Sequence, residues 1–360
     1  MSIVELRNFI GAIIVYQGFQ FSLSLIFNKT GKFRFNIILA LILMCLSLNF
    51  LNMLLLNYDL VTINFGPFFG LSYGPLFFLY TKALIYAELK FKKGDLFHFI
   101  PAIMGIFMIL IFPEWLHLTK VNIILTVFIG LAIGGYLLLS YRKVIWFQHS
   151  IKNIESDIIA GNLSWLKFII LSTSAIFVIV LGEAMISNYR WLDELTILFL
   201  YLFVLIFLNR INNKGLKQPE IFLGITSEDI ALTEEIENKY STSKLTKHEA
   251  SWYMEQLVRH MTEHKSFLQY ELSLDKLAEQ TEIPSRYLSQ IINERFNKNF
   301  FDFVNGYRVE HAKKLLLDGS NKLRVNEVMY DAGFNSKSTF NHVFKKEVGC
   351  TPSAYRNQHK

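Results

Sequence analysis

Ala332-Gly333-Phe334-Asn335-Ser336-Lys337-Ser338-Thr339-Phe340-Asn341-His342-Val343-Phe344-Lys345-Lys346, followed by Gly349, Thr351-Pro352 and Tyr355-Arg356, decides the fold of the C-terminal part of this chain. Gly333 marks a tight turn. Phe340, Val343, Phe344 and Val348 then recur at helical spacing and predict an inner face on a helix from Ser336 to Val348. Lys337, Ser338, Asn341, His342 and Lys345 are left outside. Thr351-Pro352 supplies a cap followed by proline at the first helical position, which opens one more short helix. A polar helix face behind a tight turn has the shape and the hydrogen-bonding groups that enter a DNA major groove.

The same order of parts occurs about fifty residues upstream. Ser273 reads as the cap of a short helix with Leu274, Leu277 and Ala278 inside, and a turn through Thr281 to Ile283 follows. A second helix then runs from Ser285 to about Phe296. Its phase turns Tyr287, Leu288, Ile291 and Ile292 inward and Arg286, Ser289, Gln290 and Asn293 outward, with Ser285 at its start. Arginine pairs in a fork with guanine and glutamine with adenine, so this residue set suits a groove floor. A helix from about Phe300 to Leu317 would act as the rod between the two units, and Val325 to Asp331 gives the short helix before Gly333. Ahead of both, Thr246 and Glu249 form a capping-box pattern that starts a helix from about Lys247 to His264. One such unit alone also fits a generic helical bundle; two in tandem, joined by a rod, specify a double helix-turn-helix.

Residues 271–356 resemble the tandem helix-turn-helix domain of AraC/XylS transcription regulators. The likeness rests on Leu274-x-x-Leu277-Ala278, Tyr287-Leu288-Ser289, Tyr307-Arg308-Val309-Glu310-x-Ala312-x-x-Leu315-Leu316, and the stretch from Ala332 to Arg356 quoted above. It implies sequence-specific binding to two successive major grooves of double-stranded DNA, usually by a homodimer on repeated half-sites. Three positions depart from the pattern. Met329 replaces a small residue at the second helix crossing, Arg324 replaces a Ser or Thr cap, and Glu282 stands where glycine is frequent. A lost cap costs about 1 kcal/mol and an overfilled crossing about 1–3 kcal/mol, which makes the second unit the expected weaker one. From 271 to 360 there are 14 Lys/Arg and 11 Asp/Glu, net +3, a modest charge for phosphate neutralisation.

The rest of the chain is of a different character. The whole is 52% hydrophobic and 18% charged, with a mean hydropathy of +0.31, too apolar for an ordinary soluble protein of this length. Residues 35–58 form 24 consecutive positions without Asp, Glu, Lys, Arg or His, enough to cross a hydrocarbon core of about 30 Å. Uncharged runs at 8–28, 35–58, 60–81, 96–113 (His98 apart), 121–141, 168–182 and 195–209 predict seven membrane helices, the last two runs being short. Lys29, Lys32, Arg34, Lys82, Lys90, Lys92, Lys93, Arg142, Lys143 and Lys152 fall in alternate connections, and Arg210, Lys214 and Lys217 follow the last run; Arg7, Lys120 and Arg190 lie on the other side. That bias puts the N-terminus outside and the C-terminal region in the cytoplasm of a bacterial inner membrane. Gly74-Pro75-Leu76, Tyr80 and His98-Phe99-Ile100-Pro101 resemble the variant of the same family in which a multi-span domain replaces a soluble sensor.

The expected organisation is all-α: a seven-helix transmembrane domain over 1–210, an acidic cytoplasmic linker over 211–245, and the DNA-binding domain over 246–360. Gln17, Gln20, Asn49, Asn52 and Tyr80 read as interhelical hydrogen-bonding groups, and Gly66, Gly70 and Gly74 as a small-residue stripe for close packing. Glu183 and His98 are the candidate signal-binding groups, since ionisable side chains within spans are expensive and tend to serve a function. Cys45 and Cys350 form neither a disulfide pattern nor a metal set. The expectation is a non-enzyme without cofactor or metal, whose partners are double-stranded DNA, membrane lipids, a second copy, and an unknown small-molecule or membrane-protein signal. The alternative is a membrane receptor or transporter-like protein whose helical tail binds a protein partner.

Overall fold

The computed structural model describes residues 2–27, 33–86, 92–112, 114, 119–156, 164–186, 190–215, 245–318 and 323–359. Among them there is no strand, and the extended pairing is one isolated bridge between Glu155 and Ser273. The chain divides into two compact units: Met1–Ile145 with Leu163–Gly224, and Trp146–Asn162 with Ile225–Lys360. The expected linker lies largely outside the described residues.

The first unit is built from helices α1 (Ile3–Phe27), α2 (Phe33–Asn57), α3 (Gly66–Ile85), α4 (Lys93–Leu96), α5 (Ile100–Ile111), α6 (Thr119–Ile154), α7 (Ser164–Ile186) and α8 (Arg190–Gly215), α6 running on into the second. Among the described residues, six helical segments are long and apolar enough to cross a membrane: Ile3–Phe27, Asn36–Asn57, Gly66–Ile85, Lys93–Ile111, Ile124–Ile154 and Glu194–Ile211. The sixth of the seven expected runs falls in α7, where Leu166–Ile179 is a shorter apolar stretch.

Polar groups on these helices bond across them. Asn52 donates to Ile63 O at 3.0 Å and accepts from Phe65 N–H at 2.9 Å, Asn209 donates to Gln17 at 3.1 Å, and Ser22 donates to Ala40 O at 2.9 Å. The packing role read for Gln17, Asn49 and Asn52 is the one observed, each such bond contributing about 0.6 kcal/mol in an apolar medium. The glycine stripe on α3 faces α6: a Cβ on Gly70 would lie 2.9 Å from Ile129 Cγ2, and one on Gly74 only 2.5 Å from Tyr136 Cδ2. Alanine at Gly74 would therefore push the two helices apart.

The second unit contains α9 (Lys247–Glu263), α10 (Leu274–Thr281), α11 (Ser285–Phe296), α12 (Phe300–Leu317), α13 (Val325–Asp331), α14 (Lys337–Val348) and α15 (Pro352–Gln358). Local chemistry sets the ends. Thr246, Ser273, Asn299, Ser336 and Thr351 each accept a backbone N–H from three residues on. The Thr246 hydroxyl and backbone N–H hold the Glu249 carboxyl below its usual range. Arg324 has no acceptor in its side chain; the Glu327 carboxylate takes the Arg324 N–H instead, which supplies half of a capping box.

Phe301, Val309, Ala312, Leu316, Val328, Met329, Phe334, Phe340, Val343 and Phe344 form a continuous core that joins the rod helix α12 to α13 and α14. Met329 is accommodated there at 3% exposure, with α13 helical around it, as an unbranched thioether can fill an irregular gap. Gly333 has two reasons to be glycine: its φ is +85°, and a Cβ would sit 2.6 Å from Phe267 O and 2.8 Å from Leu268 Cα. Glu282 ends α10 at φ +57°, the left-handed region in which a side chain costs about 1–2 kcal/mol.

At the centre of the unit Arg308 is fully buried. Its guanidinium donates from Nε to Phe267 O at 2.7 Å, from Nη1 to Ser156 O at 3.1 Å and Asn305 Oδ1 at 3.3 Å, and from Nη2 to Gln269 O at 2.8 Å and Ser156 Oγ at 3.0 Å. The Phe334 ring lies 5.6 Å from the guanidinium carbon. Ser156 adds its own bond to Leu272 O and its carbonyl also accepts from Asn305 at 3.0 Å. A segment that reads as a loop between apolar runs thus furnishes part of this unit's interior.

Candidate nucleic-acid interface

Two short helix pairs carry the candidate surface. In the second, α13 ends at Ala332, Gly333 turns the chain, and Phe334 and Phe340 pack together at 5.1 Å between ring centroids. That contact pins the start of α14. Phe340, Val343 and Phe344 are buried, and Lys337, Ser338, His342 and Lys345 are exposed with Asn341 half-buried between them. The five side chains named from sequence for this helix therefore share one open face. Lys346, next to them, is held by Asp302 of α12 at 2.7 Å, and so contributes less free charge.

In the first pair the outcome differs. Leu288, Ile291 and Ile292 are buried as their phase requires, and Arg286 is exposed. Ser289 and Gln290, expected on the outer face, are buried at 2% and 8% exposure. The phase of α11 alone would turn Gln290 outward, so its burial is a departure from what the 3.6-residue repeat predicts. Gln290 Nε2 donates to Glu294 Oε1 at 3.0 Å, and Asn293 Nδ2 donates to Ser289 O at 3.0 Å and its hydroxyl at 3.4 Å. Ser285 donates to Asp275.

Arg286 is exposed but folded back. Its guanidinium carbon stands 4.3 Å from the Tyr287 ring centroid and Nη2 donates to the Tyr287 hydroxyl at 2.7 Å, while Tyr253 of α9 stacks on that ring at 5.9 Å. A cation–aromatic contact at an exposed site contributes about 0.5–1 kcal/mol, so a base or phosphate can draw Arg286 away at small cost. In this arrangement α14 presents an open polar face, and α11 offers Arg286 beside half-buried Asn293, with Ser289 and Gln290 buried.

Arg308 is the position whose role the sequence argument left unassigned. Val304, Arg308 and Ala312 fall four apart on α12, and Val304 and Ala312 are fully buried. A basic residue in phase with buried neighbours on both sides was the available signal. The sensing candidates fall in the other unit. His98 Nδ1 lies 2.9 Å from the Tyr136 hydroxyl and its ring meets Phe78 edge-on at 5.8 Å, so it belongs to a packed aromatic group. Glu183 falls within α7, and its side chain is outside the described ones.

This geometry defines a DNA-binding domain of the helix-turn-helix class. Residues 277–358 match the protein family described as a helix-turn-helix domain, and the domain is of the AraC type. The uncharacterized HTH-type transcriptional regulator YijO of Escherichia coli strain K12 is 33% identical over 88 residues, 24% of this chain and 30% of that protein. A regulator encoded in the cgkA 5' region of Pseudoalteromonas carrageenovora is 31% identical over 86 residues, 24% of this chain and 49% of its own. The transcriptional activator RhaR of Escherichia coli K12 is 23% identical over 120 residues, 33% of this chain and 41% of that protein. The matches thus span half or less of each of these relatives.

Proposed function

We propose that this protein is a sequence-specific DNA-binding transcriptional regulator anchored in the bacterial inner membrane, with its C-terminal unit in the cytoplasm and its apolar helices acting as anchor and sensor. The observation that carries the DNA reading is the open row of Lys337, Ser338, Asn341, His342 and Lys345 on α14, set by the Gly333 turn. Support for the anchor comes from the apolar side chains that the first unit leaves outside, among them Phe9, Phe107, Phe128, Leu131 and Phe199, because soluble proteins rarely expose apolar patches of that kind.

Arg286 and Asn293 on α11 and the five α14 residues are the proposed DNA contacts, with Ser285, Ser289 and Gln290 completing the α11 set. A net charge of +3 over 271–360 favours binding as a homodimer, since linked sites raise effective concentration without new contacts. Membrane lipids surround the first unit and a small molecule or membrane protein supplies the signal.

The test uses full-length protein in lipid nanodiscs, duplexes selected from a random pool, and scrambled controls. Arg286→Ala and Asn341→Ala are expected to weaken binding to the selected duplex by about 5- to 150-fold and to the control far less, as loss of a base contact does. Equal loss on both duplexes would leave phosphate contact only, and no duplex binding at all would favour a protein partner for the tail. Protease accessibility of a C-terminal tag in right-side-out and inverted vesicles tests the orientation.

A further inference from the structure

Helix α9 lies ahead of the residues that match the helix-turn-helix family, 277–358, yet it is seated on the first helix pair. Leu257 and Met261 are fully buried, and Gln256 Nε2 donates at 2.8 Å to the carbonyl of Thr281, the last residue of α10. Ala250, Tyr253, Leu257 and Met261 fall at helical spacing, so half-buried Tyr253 belongs to the inner face of α9.

Tyr253 is the middle of a row of rings. Its ring centroid lies 5.0 Å from that of exposed Trp252, and 5.9 Å from that of Tyr287 at an interplanar angle of 25°. The Arg286 guanidinium closes the row, its carbon 4.3 Å from the Tyr287 centroid and its Nη2 donating to the Tyr287 hydroxyl at 2.7 Å. Successive residues on a helix point apart, so Arg286 meets Tyr287 only by bending its side chain back onto that ring. An exposed arginine otherwise samples many rotamers, and freezing one of them opposes binding. Here the row has already selected a position. One of the five guanidinium N–H groups is given to the hydroxyl, and the others can meet a base edge from that start. Packing of α9 on α11 would be served by any apolar side chain at 253; the ring adds a flat surface against which Tyr287 is set.

We propose that Tyr253 is a positioning residue for DNA recognition: from α9 it sets the Tyr287 ring, and through that ring the direction from which Arg286 meets a base. Base selectivity of the first helix pair then depends on a helix that lies outside the matched residues. This rests on the reading of Arg286 as a DNA contact and adds what orients it.

The experiment uses full-length protein in nanodiscs and a duplex selected from a random pool, in which each guanine in turn is replaced by 7-deazaguanine. That analogue lacks the N7 acceptor that an arginine fork takes. The guanine whose replacement no longer matters in Arg286→Ala is the one Arg286 reads. There Tyr253→Leu, which keeps apolar packing and removes the ring, is expected to lower discrimination about two- to fivefold, the range for a cation–aromatic contact at an exposed site. Tyr253→Phe is expected to keep it, and Tyr253→Leu to add no further loss in the Arg286→Ala background, as residues acting through one another do. Amide exchange across α11 should match the parent in these variants; should Tyr253→Leu loosen the helix, Tyr253→Met takes its place, since an unbranched thioether fills an irregular gap. A weakening equal on every duplex, or undiminished without the arginine, overturns the positioning role and leaves Tyr253 as packing between α9 and α11. Parent-like discrimination by Tyr253→Leu overturns it as well, while a guanine that depends on Arg286 keeps the base contact. If no guanine depends on Arg286, the base contact itself is rejected and the positioning role falls with it.

Discussion

Replacing Arg308 by methionine keeps an unbranched chain of similar length in the same space and removes the guanidinium. Three of the acceptors it leaves are backbone carbonyls with different fates. Ser156 O retains the Asn305 bond and Gln269 O retains Leu272 N–H at 3.2 Å, but Phe267 O loses the Arg308 bond at 2.7 Å. An orphaned buried carbonyl costs about 1–3 kcal/mol and bonds to a charged donor contribute about 1.5–3 kcal/mol each. Since methionine recovers some packing and no buried charge is stranded, the sum expected is about 3–5 kcal/mol. The assay is amide hydrogen exchange of α12 in the full-length protein in nanodiscs. Protection of the Phe300–Leu317 amides should fall by about two to almost four decades, at about 1.4 kcal/mol per decade. Ser156→Ala, which removes only the Oγ bonds, should cost about 1–2 kcal/mol in the same measurement. Protection within threefold of the parent for Arg308→Met would refute the claim that this guanidinium holds the unit together.

The left-handed Glu282 makes Glu282→Gly a stabilising change of about 0.5–1 kcal/mol, strain relief exceeding the gain in unfolded-chain freedom; exchange of the α10 amides reads it. Gly333→Ala should destabilise by about 2–4 kcal/mol and loosen α13 and α14 ahead of α10 and α11, since both its dihedral and the Phe267 carbonyl oppose a methyl group. Burial pushes the imidazoles of His260 and His311 below their usual range, with the nearby His264, Lys265 and Lys314 charges acting in the same sense. The unfolded chain then binds protons that the folded one refuses. Stability of this unit should be intact above pH about 6.5 and decline as pH falls from there through the two lowered values; a midpoint by near-ultraviolet dichroism that rises on acidification would contradict it.

Caps and phase made the C-terminal helices legible. Thr246, Ser273, Ser336 and Thr351 each act within three residues of themselves, so sequence alone places their helix starts. Hydropathy runs were a less complete guide, because a charge ends an apolar run without ending a helix. The uncharged stretch 121–141 is thus part of α6, whose 36 residues continue past Arg142, Lys143 and Lys152. The covered Ser289 and Gln290 could not be read from α11, since helical phase reports only which neighbours share a face. Arg308 was legible as an inward position by its spacing from Val304 and Ala312, but its acceptors were not: the Ser156 carbonyl lies 152 residues away in sequence, and no local pattern encodes such a pairing.

That separation bears on how the chain matures. The bonds that complete the Arg308 cluster close a loop whose entropy cost is about 4 kcal/mol by the logarithmic rule, several times that of a hairpin. A ribosome finishes Ser156 long before it reaches Arg308, so until then water must satisfy the serine's carbonyl and hydroxyl in the guanidinium's place. Anyone excising residues 240–360 as a free-standing piece would be purifying a domain with a missing plug, and supplying a peptide spanning 146–156 should restore it.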